Sequence, residues 1–183
     1  MRYYEMKIAN ENRWNLAIEG EFEDGTPTDI WAYSMGRQAP NRPVPFSIYT
    51  EGEVVDYNPT AFGTIVVSSR MATIIDAYAE SEVQRLSAAV DGEPNGWEVI
   101  NVLSVVDCID RDFSDITYYP EDHIEKPGKP RGITKLVLEP QKARGHQLFK
   151  PKDWLAATIV SSSLKDALEE SSITGIEFWR VTK

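Results

Sequence analysis

The chain has 183 residues, 42% of them hydrophobic, enough for one domain with a sizeable core. Its net charge of −10 repels nucleic acid and anionic lipid and favours basic partners. No apolar run reaches the roughly 18 residues that span a bilayer, no signal-peptide stretch opens the chain, and the single cysteine allows no internal disulfide. These features predict a soluble, cytoplasmic protein with neither nucleic-acid nor membrane partners. The charge is unevenly spread. Residues 1–125 hold 23 acids against 8 bases, whereas residues 126–183 hold 6 against 11.

In chain order, Tyr4, Met6 and Ile8 alternate with polar neighbours, and Trp14, Leu16 and Ile18 do so again, which predicts two strands. "EDGTPTD" (23–29) is turn chemistry and "RQAPNRPVP" (37–45) an extended loop. "FSIYTEGEVVDYN" (46–58) reads as a hairpin folded at Glu51-Gly52. "VVSSRMATIID" (66–76) and "IVSSSLKDALE" (159–169) align at an offset of 93, each predicting a strand, a serine N-cap and an amphipathic helix. Ser68 and Ser161 are the capping candidates. Ser163 and Asp166 also have capping-box spacing. A nucleophile elbow would need glycines flanking the serine, and neither copy has them.

Between the copies, Leu86, Ala88 and Val90 alternate, "DGEPNG" turns, and "WEVINVLSVVDCI" (97–109) predicts a central strand buried on both faces. "ITKLVLEP" (133–140) is a further strand. Gly175 is expected to cap the second helix before "IEFWRV" returns as the last strand. The predicted fold is a single α+β domain over residues 1–183. It has a mixed, mostly antiparallel sheet, two or three helices and two strand–Ser–helix units.

"SVVDCIDRDFSDITYYPEDH" (104–123) concentrates the candidate chemistry, with six carboxylates, Cys108 and His123. Asp110, Asp112, Ser114 and Glu121 partly fit a calcium loop, but Asp115 replaces its glycine. Asp107 and Asp110 would raise the Cys108 thiol pKa, the reverse of what a nucleophile needs. Two histidines are too few for a zinc site without carboxylates, no GxSxG supports a Ser–His–Asp triad, and "KPGKPRG" lacks phosphate-loop spacing. No metal and no cofactor are predicted. Asp112, Asp115, Tyr118, Tyr119, Glu121 and Asp122 remain as an acidic, aromatic edge suited to gripping a basic protein. Asp107 and Asp110 are assigned to the fold, ending the central strand and tying down the next turn.

The order of these pieces resembles the bacterial polymorphic-toxin immunity protein family eleven, formerly a domain of unknown function. The resemblance spans residues 31–181. It rests on "WAYSMGR" with Gly36, "VVDYN" with Asp56, and "AFGTIVVSSRMATII" with Ser68. It continues through "NVLSVVDCIDRDFSD" with Asp107, Asp110 and Ser114, "HQLFK" with Phe149, and "IVSSSLKDAL…ITGIEF" with Ser161, Gly175 and Phe178. Lys150 stands where the pattern leads one to expect an arginine.

The resemblance implies a protein that binds and neutralises a cognate secreted antibacterial toxin, such as a type VI secretion effector or a nuclease, by steric capping and without catalysis. It leaves homo-oligomerisation open. Two other readings stand beside it: a metal- or carboxylate-dependent hydrolase using the Asp107–Asp122 cluster, and a general protein-interaction module.

Overall fold

A computed structural model describes residues 2–9, 12–93 and 96–183. Pro94 and Asn95 of the expected "DGEPNG" turn lie outside the described residues. Among the described residues, thirteen strands and two α-helices form a mixed α+β fold with mostly antiparallel pairing. The strands are β1 (Tyr3–Ile8), β2 (Asn15–Ile18), β3 (Val44–Thr50), β4 (Tyr57–Pro59), β5 (Ile65–Ser68), β6 (Val83–Val90), β7 (Trp97–Val102) and β8 (Val105–Val106). They continue as β9 (Asp115–Tyr118), β10 (Pro130–Lys135), β11 (Leu148–Pro151), β12 (Ile159–Ser161) and β13 (Ile176–Arg180). The helices are α1 (Ser69–Ala79) and α2 (Ser162–Glu170).

Six strands form one sheet in the order β2-β3-β6-β7-β5-β4, with only β3 and β6 parallel. Five form a second sheet, β13-β1-β12-β11-β8, with only β11 and β8 parallel. β9 and β10 make a separate two-stranded arm.

The two strand–Ser–helix units occupy different sheets, with β5 leading into α1 and β12 into α2. Their helices share one apolar cluster, in which Met71, Ala72 and Ile75 meet Leu164 and Leu168, all nearly solvent-free. Burying each of Met71, Ile75, Leu164 and Leu168 is worth about 1.5–3 kcal/mol, so this helix pair holds the two sheets together. Ser68 Oγ accepts from the Met71 N–H at 3.4 Å and Ser161 Oγ from the Leu164 N–H at 3.2 Å. Ser163 is therefore not the cap of α2, because the chain turns helical two residues earlier. Nor does Gly175 end that helix. Ser171 does, with Ser172 in the left-handed region (φ 52°), and Gly175 turns the chain into β13 instead.

Two strand predictions are corrected. Residues 46–58 do not fold as a hairpin: β3 pairs with β2 and β6, whereas β4 pairs with β5. The chain at Glu51–Glu53 instead runs past the start of β2, with the Glu53 N–H donating to Asn12 O and the Trp14 N–H to Glu53 O. The apolar run 97–109 is not one strand either. It breaks at Leu103–Ser104, crossing from interior β7 in one sheet to edge strand β8 in the other. Buried carboxylate Glu82 fixes that crossing, since the Leu103 N–H donates to Glu82 O while its side chain accepts the Gln147 and Leu148 N–H groups beside β11. The 133–140 strand likewise ends at Lys135, beyond which Leu138 forms an isolated bridge with Ile109 and its N–H donates to Val181 O.

The six-stranded sheet nearly closes on itself. Its two edges, β2 and β4, are joined by side chains: Trp14 Nε1 donates to Asn58 Oδ1 at 2.7 Å, and buried Arg13 donates to Pro59 O at 3.0 Å. No ladder hydrogen bonds pair these edges among the described residues, so a seam remains there.

Candidate functional site

The stretch 104–123 separates into two parts. Asp110 Oδ1 accepts the backbone N–H groups of Asp112 (3.2 Å) and Phe113 (3.3 Å), the geometry of an aspartate closing a tight turn. Ser114 Oγ donates to Val137 O and accepts from the Val137 N–H, locking that turn to the opposite segment. Asp107 is different from expectation. It follows a two-residue edge strand, is exposed, and pairs with Lys152 at 3.3 Å, so it neither ends a central strand nor supports a turn. Cys108 is fully buried, and burial followed by the neighbouring Asp107 charge pushes its thiol up to about 12. Among the described residues no group of three or more His, Cys, Asp or Glu is placed to hold a metal ion.

Asp112, Asp115, Glu121 and Asp122 are exposed, as is Tyr118. Tyr119 is half-buried, its ring 4.4 Å from that of His123 and 5.8 Å from Lys126 Nζ. The arm folds so that β10 and its basic loop lie beside β9. Lys129 and Arg111 both pair with Asp153, at 2.8 and 3.1 Å. Between residues 111 and 135 the arm carries five acids and five bases. The acidic edge is thus half of a charge-balanced ribbon.

The other residues singled out from sequence are spread through the frame. The Asp56 carboxylate, nearly buried, accepts from Ser68 Oγ (2.5 Å), Arg70 Nε (2.7 Å), Arg70 Nη2 (2.5 Å), Thr174 N (2.9 Å) and Thr174 Oγ1 (2.7 Å). Burial opposes its ionisation, but the hydrogen bonds from Arg70, Ser68 and Thr174 outweigh that and hold the carboxyl well below the usual range. Gly36, at φ +70°, passes so close to Val105 that an added Cβ would sit 2.3 Å from its Cγ2. Gly175 is equally tight against Val55. Phe149 is buried edge-to-face on Tyr3 at 5.4 Å, Phe178 packs on the helix-pair cluster, and Ser161 Oγ donates to the Gln147 side chain. Lys150, 1% exposed, donates to Leu155 O at 2.7 Å, and burial pulls its pKa down to about 8. None of these residues clusters with the 112–122 edge into a reactive site.

What sequence reasoning missed is a groove that starts at the seam between β2 and β4 and extends beside β1 and β13 of the other sheet. One cavity of about 660 Å³ is walled by β1, β13, the 31–35 turn and the 60–63 loop. A second, of about 450 Å³, shares Ile8 and residues 59–62 and runs along β2. Large apolar side chains stand open on the walls: Ile8 41%, Trp31 50%, Met35 45%, Phe62 43% and Trp179 58% exposed. The Trp31 and Phe62 rings meet edge-on at 5.0 Å. The sequence displays these residues, but which of its aromatics stay uncovered is not a periodic property and leaves no local signal.

A model described as an immunity protein family (Imm11) matches residues 5–183, nearly the whole chain. A search of curated proteins returned no match.

Proposed function

The chain belongs to the Imm11 immunity protein family, whose members neutralise toxins, and from that premise we propose that it acts by holding a cognate toxin in a stoichiometric, sterically capped complex. The observation that carries the reading is the group of large apolar side chains, Ile8, Trp31, Met35, Phe62 and Trp179, left open around one groove. The net charge of −10 fits a basic toxin, such as a nuclease, met in the cytoplasm of the producing cell and its siblings. Protective complexes of this kind need affinities on the order of nanomolar or tighter. Co-expression with the toxin encoded beside the gene is expected to rescue growth, and the two proteins to co-purify at a one-to-one ratio. Rescue with no complex detectable at micromolar concentration would replace capping by an enzymatic antidote.

A further inference from the structure

Resting on that reading, we propose that the seam groove, and not the charge-balanced β9–β10 arm, seats the toxin, and that its occupant is an extended toxin segment with apolar anchors flanked by basic residues. The protein hides Trp14, Tyr33, Phe46 and Phe149 at 2% exposure or less and leaves Tyr78, Phe113 and Tyr118 open outside the groove, but the exposed tryptophans among the described residues, Trp31 and Trp179, both stand at the groove. At the groove it leaves two tryptophans, a phenylalanine and a methionine open, the residue types that dominate the centres of binding surfaces. They come from three separate segments, the 31–35 turn, the 60–63 loop and β13, so only the tertiary fold assembles the surface.

The walls are fixed in advance. Arg13 ties the start of β2 to Pro59, Trp14 ties it to Asn58, and Glu5 is held by Lys7 at 2.6 Å. A partner therefore meets a shape already formed, which lowers the ordering cost of association. Charge selects the flanks. Exposed Glu177 stands on the wall of the first cavity. Exposed Glu19 directly follows the Ile18 end of the second cavity, and exposed Glu51 directly follows Thr50 at its Asn15 end. The cavity walls themselves carry Glu5 and Glu177 against Lys7 and Arg13, so the acidic excess lies at the exposed ends, on Glu19 and Glu51. An extended segment suits two adjoining cavities that share Ile8 and residues 59–62 beside edge strand β2.

The test uses the full chain and an inactivated form of the toxin encoded by the neighbouring gene. Hydroxyl-radical footprinting of the complex is expected to protect Trp31, Met35 and Trp179 while leaving Tyr118 and Phe113 reactive. Trp31→Ala with Trp179→Ala should weaken binding at least about 30-fold at unchanged melting temperature, because both rings are half in solvent in the free protein. Asp112→Asn with Asp115→Asn, Glu121→Gln and Asp122→Asn should change the dissociation rate less than about threefold. Protection on the arm, or a groove variant that binds as the parent does, overturns the groove while the toxin reading stands. If no complex forms with the parental chain, the toxin reading falls and the groove assignment falls with it. If the same tryptophans are already protected without toxin, and the free protein sediments as a dimer, the groove belongs to a second copy and the proposal is wrong.

Discussion

The Asp56 carboxylate receives five hydrogen bonds from three places: the α1 cap, the first turn of α1 and the segment after α2. Asp56→Ala leaves Thr174 and Ser68 donors without their acceptor and is expected to cost about 3 kcal/mol in urea denaturation at neutral pH. Its folded pKa is depressed, so its contribution is present above the ordinary carboxylate pKa and drains away as pH falls below about 4. Asp56→Asn should accordingly flatten the acid limb of the stability profile, and an unchanged limb would assign it to other carboxylates. Lys150 contributes a slope of the same sign in the alkaline range. With its ammonium at about 8 in the fold and 10.5 as the ordinary value, the unfolded chain binds that proton more tightly between those pH values. Stability should therefore gain a rising component from about pH 8 to 10.5, and Lys150→Met should abolish it in melts across that range.

At the scale of elements, the two strand–Ser–helix units behave as one device used twice. Each cap hydroxyl accepts from its own helix and donates to a side chain from a distant segment, Asp56 for Ser68 and Gln147 for Ser161. A cap is thereby also a tertiary tether. Ser68→Ala and Ser161→Ala should each lower stability by about 0.5–2 kcal/mol, at the upper end because both roles are lost together, with toxin affinity of the folded fraction unchanged. Chemical denaturation paired with a binding titration checks this, and a stable variant that no longer binds would move the serines into the interface. The offset of 93 was readable because capping and helix periodicity are local rules. That the two helices would pack on one another, each bringing its own sheet, was not readable, because nothing in either copy states which apolar face meets which.

For the whole molecule, the −10 charge is a field and the groove is a surface, and they act on different steps. Long-range charge sets encounter, whereas buried apolar anchors set residence. Stopped-flow association with the toxin should therefore slow as salt rises through the Debye range. Neutralising Asp112, Asp115, Glu121 and Asp122 lowers the net charge to −6 and should reduce the rate and its salt dependence moderately, with little change in melting temperature. A basic toxin that associates at a salt-independent rate would show that steering plays no part.

Composition, period-2 and period-3.6 patterning and serine capping by themselves determined an α+β chain of mostly antiparallel strands with two capped helices, since each depends on neighbours within a few residues. The motif order pointed to the family for the same reason. Asp110 accepting the Asp112 and Phe113 N–H groups is local chemistry, an aspartate bonding its own backbone, and so is legible in the sequence. Only the tertiary structure decided that the apolar run at 97–109 crosses between sheets, and that the β3 region pairs with β2 and β6 rather than with its own continuation. It alone showed the acids of 112–122 lying beside a basic strand, and Trp31, Phe62 and Trp179 gathered open around one seam. Those outcomes turn on which distant segments share a sheet edge. Side-chain exposure there follows from what the rest of the chain fails to cover, a quantity no local pattern encodes.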